Sequence, residues 1–158
     1  MTHDEVKTCI QNTFSGKLTL LDTGRAEPVF EVKAADLRDV ARALRDDPTL
    51  RFDYLCNLGG TDTGERLEAH YHLASVANGN RVDLKIFLSY ENPSVPSVRD
   101  IWPAANWYER EMWELFGINV EGHDNLTRFL LPEDWDQGHP MRKNWDAPDF
   151  VRLPEFEA

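Results

Sequence analysis

Two histidines, His70 and His72, stand two residues apart in a stretch of strand-like pattern, so both imidazoles fall on one face of a sheet. Metal sites use that spacing, and His123 or His139 with a carboxylate could complete one. Nothing in the sequence aims these groups at one point, and two imidazoles on a solvated sheet face is the plainer reading. Glu109, Glu111 and Glu114 form an acidic cluster, and paired carboxylates can do acid and base work. On a helix, however, Glu109 and Glu111 are about 200° apart and cannot form a dyad alone. Arg110 and Glu114, at i and i+4, are spaced for an ordinary ion pair. The stretch Gly59-Gly60-Thr61-Asp62-Thr63-Gly64 follows a strand, as phosphate-binding loops do, but it lacks both the Gly-x-Gly-x-x-Gly spacing and a Gly-Lys-Ser/Thr ending. A bent loop between strands is expected there. No Gly-x-Ser-x-Gly elbow is present, and neither Cys9 nor Cys56 has a nearby histidine to form a nucleophile motif.

Composition narrows the classes further. The 158 residues carry 17 Lys and Arg against 28 Asp and Glu, a net charge of −11, which opposes binding to a phosphate backbone or to anionic lipid. Two cysteines are too few for an all-cysteine iron–sulfur cluster or a zinc ribbon, and both are expected to be reduced and buried. No run approaches the roughly 20 apolar residues of a membrane span. The N-terminus has an early acidic pair and no apolar core, so no signal peptide is read and the chain is expected to start in the cytoplasm.

The elements that must position these residues are read from periodicity. Residues 2–14 read as a first helix, with Val6, Ile10 and Thr13/Phe14 on one face and Gly16 as its stop. Residues 17–22 and 28–32 are short strands around a Gly24 loop. Leu37, Val40, Ala41 and Leu44, at i, i+3, i+4 and i+7, make the clearest amphipathic helix. A strand over 52–58 follows, then a hairpin of 68–77 and 81–90 turning at Asn78-Gly79-Asn80. Pro93, Pro96 and Pro103 lead into a helix over 107–116 that Gly117 stops, with Pro103 suited to its first turn. The expected fold is α+β, a mixed sheet of about five strands packed with two or three helices over residues 1–122. Residues 123–158 read as an irregular, extended tail that cannot form a core of its own.

Four tryptophans, Trp102, Trp107, Trp113 and Trp135, fall close together, with Trp145 just beyond, and Arg128, Arg142 and Lys143 lie among them. Amphipathic aromatics with nearby basic groups suit a docking surface. The residues themselves are then recognisable. The run Asn106-Trp107-Tyr108-Glu109-Arg110-Glu111-Met112-Trp113-Glu114-Leu115-Phe116-Gly117-Ile118 continues through Glu121-Gly122-His123, Leu130-Leu131-Pro132-Glu133-Asp134-Trp135 and Gly138-His139-Pro140-Met141-Arg142-Lys143. It resembles the signature of the 30 kDa subunit of respiratory complex I.

The resemblance implies a non-catalytic structural and assembly subunit of the hydrophilic arm of an NADH-quinone oxidoreductase. Such a subunit supports electron transfer from NADH to quinone coupled to ion translocation, with no catalytic centre, metal or cofactor of its own. The partners implied are the large quinone-site subunit and the iron–sulfur subunit, with no nucleic acid. Membrane association would be indirect, at the cytoplasmic face. Residues implied to contact partners are Glu109, Arg110, Glu111, Phe116 and Gly117 on the signature helix and its stop. In the tail they are His123, Arg128, Pro132, Glu133, Asp134, Trp135, His139, Pro140, Arg142 and Lys143. The chain departs from the family pattern at Asp124-Asn125, where Pro-Asp is usual, at Asn144-Trp145, and at Met112-Trp113. Homologous subunits occur in membrane-bound energy-converting [NiFe] hydrogenases and other-donor dehydrogenases, which keeps the electron donor open. The rival from another class is a small metal-dependent enzyme using His70 and His72.

Overall fold

A computed structural model describes residues 1–147 and 149. Within them the chain forms α1 (His3–Thr13), β1 (Leu18–Leu21), β2 (Val29–Val32), a 3-10 turn (Ala34–Asp36) and α2 (Leu37–Asp46). There follow β3 (Tyr54–Asp62), β4 (Leu67–Ala74), β5 (Arg81–Leu88), β6 (Ser94–Pro96), α3 (Ala105–Phe116) and β7 (Asn119–Glu121). The five-stranded sheet has the order β1-β2-β5-β4-β3 and is mixed, because β2 runs parallel to β5 while the other neighbours are antiparallel. The expected α+β class is the observed one.

Local chemistry accounts for the helices. Thr2 caps α1 in a capping box, its hydroxyl accepting Glu5 N–H while the Glu5 side chain accepts Thr2 N–H. Val6, Ile10 and Phe14 face the core, as their spacing predicts. In α2, Leu37, Val40, Ala41 and Leu44 are all 0% exposed, and full burial of each Leu or Val is worth about 1.5–3 kcal/mol. Strand alternation sends Leu67, Ala69, Tyr71 and Leu73 of β4 inward with Val82, Leu84 and Ile86 of β5. Glu68, His70, His72, Asp83 and Lys85 therefore share the opposite face.

Four expectations need correction. The stretch 59–64 is mostly not a loop: β3 continues through Asp62 and the chain turns only after it. The reason is close approach, because a Cβ on Gly60 would lie 2.7 Å from the Phe116 ring and 3.2 Å from Met112, so glycine lets α3 sit directly on the strand. Pro103 lies outside the first turn of α3, one residue before its N-cap, Ala104. The proline-punctuated segment also carries β6, which pairs in parallel with β7 in a small second sheet that periodicity did not reveal. Cys9 and Cys56 are free, as expected, but half-buried rather than buried. Among the described residues no helix is long and apolar enough to cross a membrane.

Candidate functional site

The histidine pair sits in a lattice of charges. His72 Nδ1 is 2.7 Å from Asp83, which also binds Arg25 at 2.6 Å, and Glu68 takes Arg66 at 3.0 Å and Lys85 at 3.4 Å. His70 lies 3.4 Å from Glu68 and stacks on His72 with ring centroids 6.4 Å apart. Burial and the Lys85 charge push the His70 pKa down, so the ring is held neutral. His123 and His139 are both placed against α3 instead. Among the described residues no group of three or more His, Cys, Asp or Glu side chains converges as a metal site.

The groups that do converge are α3 and residues 123–145. On the inner face of α3, Ala105, Glu109, Met112 and Phe116 are buried at helical spacing. Glu109 is 0% exposed, so it offers no surface to a partner. Its carboxylate accepts the Ser97 hydroxyl at 2.7 Å and Val98 N–H at 2.6 Å. Burial raises its pKa against those two hydrogen bonds and the charges of Arg99 and Arg38. A carboxyl held high gives up its proton at a higher pH in the folded state than in the unfolded chain, where it does so near 4.5. Folding stability from this group is thus full below 4.5 and lost as pH rises through the held value. Glu109→Gln is expected to be more stable than the natural chain at pH 7, with the advantage shrinking towards pH 4.5, as urea melts at the two pH values would report. Glu109→Ala is expected to cost about 2–3 kcal/mol, because it strands the Val98 N–H and the Ser97 hydroxyl.

The expected ion pair between Arg110 and Glu114 is not formed. Arg110 Nε donates to the Thr127 carbonyl at 2.8 Å and its guanidinium reaches the Arg128 carbonyl at 3.4 Å. The Glu114 carboxylate, 2% exposed, accepts the N–H groups of Phe129 and Leu130, each at 3.0 Å, and that of Leu131. The tail inserts its backbone where the i, i+4 pair would have closed. The three amides compete well for this buried acceptor because hydrogen bonds to a charged group are worth about 1.5–3 kcal/mol each. The Arg110 guanidinium lies against both Trp107 and Phe129, 4.6 and 4.9 Å from the ring centroids.

With the polar backbone of 127–131 turned inward, apolar side chains point out. Trp107 is 55% exposed, Leu130 53% and Phe129 38%, with the Trp107 and Phe129 rings edge to face at 5.2 Å. Beside them Arg128 lies over Trp113 at 5.8 Å and donates to the Glu133 carbonyl at 3.4 Å, bordering an open groove of about 490 Å³. The carboxylates of Glu111, Glu133 and Asp134 have no partner among the described residues. Pro132, Glu133 and Asp134 are exposed, in a turn that the Trp135 N–H closes onto the Pro132 carbonyl at 3.1 Å.

The C-terminal end of α3 is capped by the same tail. A helix leaves its last carbonyls without intrahelical partners. Here the Glu114 carbonyl accepts His139 Nδ1–H at 3.0 Å and that of Leu115 accepts Met141 N–H at 3.1 Å. The carbonyls of Phe116 and Gly117 take Arg142 at 2.6 and 3.4 Å. A cation at that end also opposes the helix dipole favourably. Gly117 is left-handed at φ 69°, and Pro140 lies half-buried within the capping segment. Lys143 N–H then donates to Asp62 at 2.8 Å, and Trp135 donates to the Gly138 carbonyl at 2.7 Å while packing on Trp145. Asp62 also accepts the Tyr90 hydroxyl at 2.5 Å and Gly64 N–H at 2.8 Å. Burial opposes its charge, but these donors and the Lys143 charge hold its pKa below the usual carboxylate value. The tail thus packs on its own chain through Glu114 and Asp62, in roles that the sequence did not assign to them, and leaves Trp107, Phe129 and Leu130 facing outward. The paired glycines within β3 were a signal of a different contact, the close approach of α3 to that strand.

Comparison with known proteins places this architecture. The sequence model of the family described as the respiratory-chain NADH dehydrogenase 30 Kd subunit matches residues 30–151. The NADH-quinone oxidoreductase C subunit of Roseiflexus castenholzii is 49% identical over 123 residues, 76% of this chain and 70% of that protein. The corresponding C subunit of Burkholderia multivorans is 39% identical over 160 residues, covering 95% of this chain and 80% of that one. Against other relatives the match spans about half to two-thirds of their length. Among solved structures, a trypsin-resistant fragment of Nqo5 superposes with a TM-score of 0.65 at 25% identity, over 80% of this chain and 100% of that one. A chain of the membrane-bound sulfane sulfur reductase, an archaeal respiratory membrane complex, shares the fold with a TM-score of 0.77 at 24% identity, over 98% and 95% of the two chains. By the family match and these identities, the chain belongs to the family of the 30 kDa subunit of respiratory-chain NADH dehydrogenase.

Proposed function

We infer that this chain is a non-catalytic assembly subunit of the hydrophilic arm of a complex I type NADH-quinone oxidoreductase. It supports electron transfer from NADH to quinone, coupled to ion translocation, by holding other subunits in register. Its partners are the large quinone-site subunit and the iron–sulfur subunit, and it meets the membrane through them at the cytoplasmic face. The observation that carries this reading is the division of labour in the tail. Arg110, Glu114, His139 and Arg142 are committed to backbone groups of the chain itself, while Trp107, Phe129 and Leu130 are left outward on a braced surface. Rigid aromatic anchors already in place lose little entropy on docking. His123 and Arg142 act on a partner indirectly, by fixing that surface, whereas Arg128, Glu133 and Asp134 remain exposed for direct contact.

The test is affinity purification of the tagged chain from membranes in mild detergent, with co-purifying subunits identified by mass spectrometry and assayed for NADH oxidation and hydrogen evolution. A hydrogen-evolving complex would assign the chain to the hydrogenase branch. Trp107→Ala with Leu130→Ala is expected to leave the isolated fold intact and to reduce recovery of the large subunit about 30-fold, the scale of a lost anchor worth about 2 kcal/mol. Wild-type recovery with lost turnover would overturn the assembly role.

A further inference from the structure

His123 is the residue through which the tail enters the core. It follows Gly122, whose φ of 76° turns the chain after β7, and its side chain is 0% exposed. Its Nδ1 accepts the Asn125 N–H at 3.1 Å, so Nδ1 is the unprotonated nitrogen and the ring proton sits on Nε2. Nε2 is enclosed 3.9 Å from Glu109 Oε2, beyond hydrogen-bond reach, and makes no hydrogen bond of ordinary length among the described residues. The Asn125 carbonyl in turn accepts Thr127 N–H at 3.0 Å, and the Thr127 carbonyl is the one Arg110 grips. One continuous set of hydrogen bonds therefore runs from the buried ring to the segment that Glu114 holds.

The charged and titratable groups that act on the ring come from several elements. Glu109 and Arg110 come from α3, and Arg99, paired with Asp124, from the segment before it. The charge of Arg38, which α2 carries and Asp100 pairs, acts on the Glu109 carboxylate, and the charge of that carboxylate acts on the buried Tyr71 hydroxyl of β4. Burial disfavours a charged ring most, the Arg99 and Arg110 charges add to it, and the Asn106 backbone opposes it, so the His123 pKa is pushed below 6.5.

We propose that His123 is a proton-operated latch, which when neutral holds residues 123–131 on α3 and when protonated on Nδ1 releases them. A proton on Nδ1 turns an acceptor into a donor facing the Asn125 N–H, and two donors cannot share that position. Release frees Thr127 from its place over Arg110 and dismantles the outward patch of Phe129 and Leu130. The sign follows from linkage: a histidine held below its free value contributes fully above 6.5, and the closed segment weakens as pH falls from there towards the held value. The surface is thus assembled at neutral pH and lost in acid.

The isolated full chain tests this without any partner, so its outcome is independent of the assembly reading. Amide hydrogen exchange of residues 125–131, expressed as protection factors, is expected to fall about tenfold per pH unit below about 6.5, with β5 amides unchanged. In His123→Asn the side-chain oxygen accepts the same Asn125 N–H as an Asx turn and does not titrate, so protection should be flat across that range. Nitrogen-15 NMR of the wild-type ring should show the Nε2–H tautomer and a midpoint below 6.5. Equal pH slopes in the two proteins would overturn the latch, as would a ring that titrates at 6.5 or above. Where His123→Asn does not fold, the wild-type ring titration decides alone.

Discussion

Glu114→Ala is expected to cost about 3 kcal/mol and to free the tail from α3. The Glu114 carboxylate is 2% exposed and is the shared acceptor for Phe129, Leu130 and Leu131 N–H. Hydrogen bonds to a charged group are worth about 1.5–3 kcal/mol each, and the three are not additive because amides released at the surface recover water. For a chain of this size that loss lowers the melting temperature by about 6–12 °C if the tail melts with the domain. If the tail opens alone, the melt stays put and trypsin cuts after Arg128 at an increased rate. Glu114→Gln keeps one acceptor oxygen and should show roughly half the effect. An unchanged melt together with unchanged cleavage would contradict the role given to this carboxylate.

Gly117→Ala should be at least as costly, for a different reason. At φ 69° a side chain strains the backbone by about 1–2 kcal/mol. A Cβ there would also meet the His139 ring and lie 2.8 Å from the Arg142 guanidinium, the two groups that cap α3. Moving them uncaps the Glu114 and Phe116 carbonyls, which brings the total to about 3–4 kcal/mol. Gly16→Ala is the control: its φ is 85° but a Cβ there meets nothing within 4 Å, so only the backbone strain should appear. A difference of about 2 kcal/mol between the two variants in urea melts would measure what the tail contributes at the end of α3. Equal costs would mean that the cap can shift without loss.

The two substitutions bear on parts of the protein that differed in how far the sequence revealed them. The inner face of α2, the α1 face through Val6 and Ile10, and the 67–88 hairpin were all legible, because each is set by a repeat of apolar residues within a few positions. The paired glycines of β3 were misread as a loop, since a strand relaxed to admit a helix and a turn show the same residues. The β6–β7 pair escaped notice because each strand is three residues long and its partner lies some two dozen residues away. The signature over residues 106–143 identified the family, yet it could not say which of its charged side chains face a partner and which are used within the chain.

What the sequence determined by itself is which face each element buries, since hydrophobic burial follows a period that is local and needs no knowledge of the neighbour. The tertiary structure alone decided the partners of the polar groups. Arg110 and Glu114 are spaced to bind each other, but the folded chain brings the carbonyl of Thr127 and the amides of 129–131 between them. The Glu114 carboxylate is itself 2% exposed, so three bonds to that charged acceptor recover more free energy than an ion pair closed at the helix surface. Hydrogen-bond choice is a competition among whatever folding brings within about 3 Å, and that competition is settled only in three dimensions.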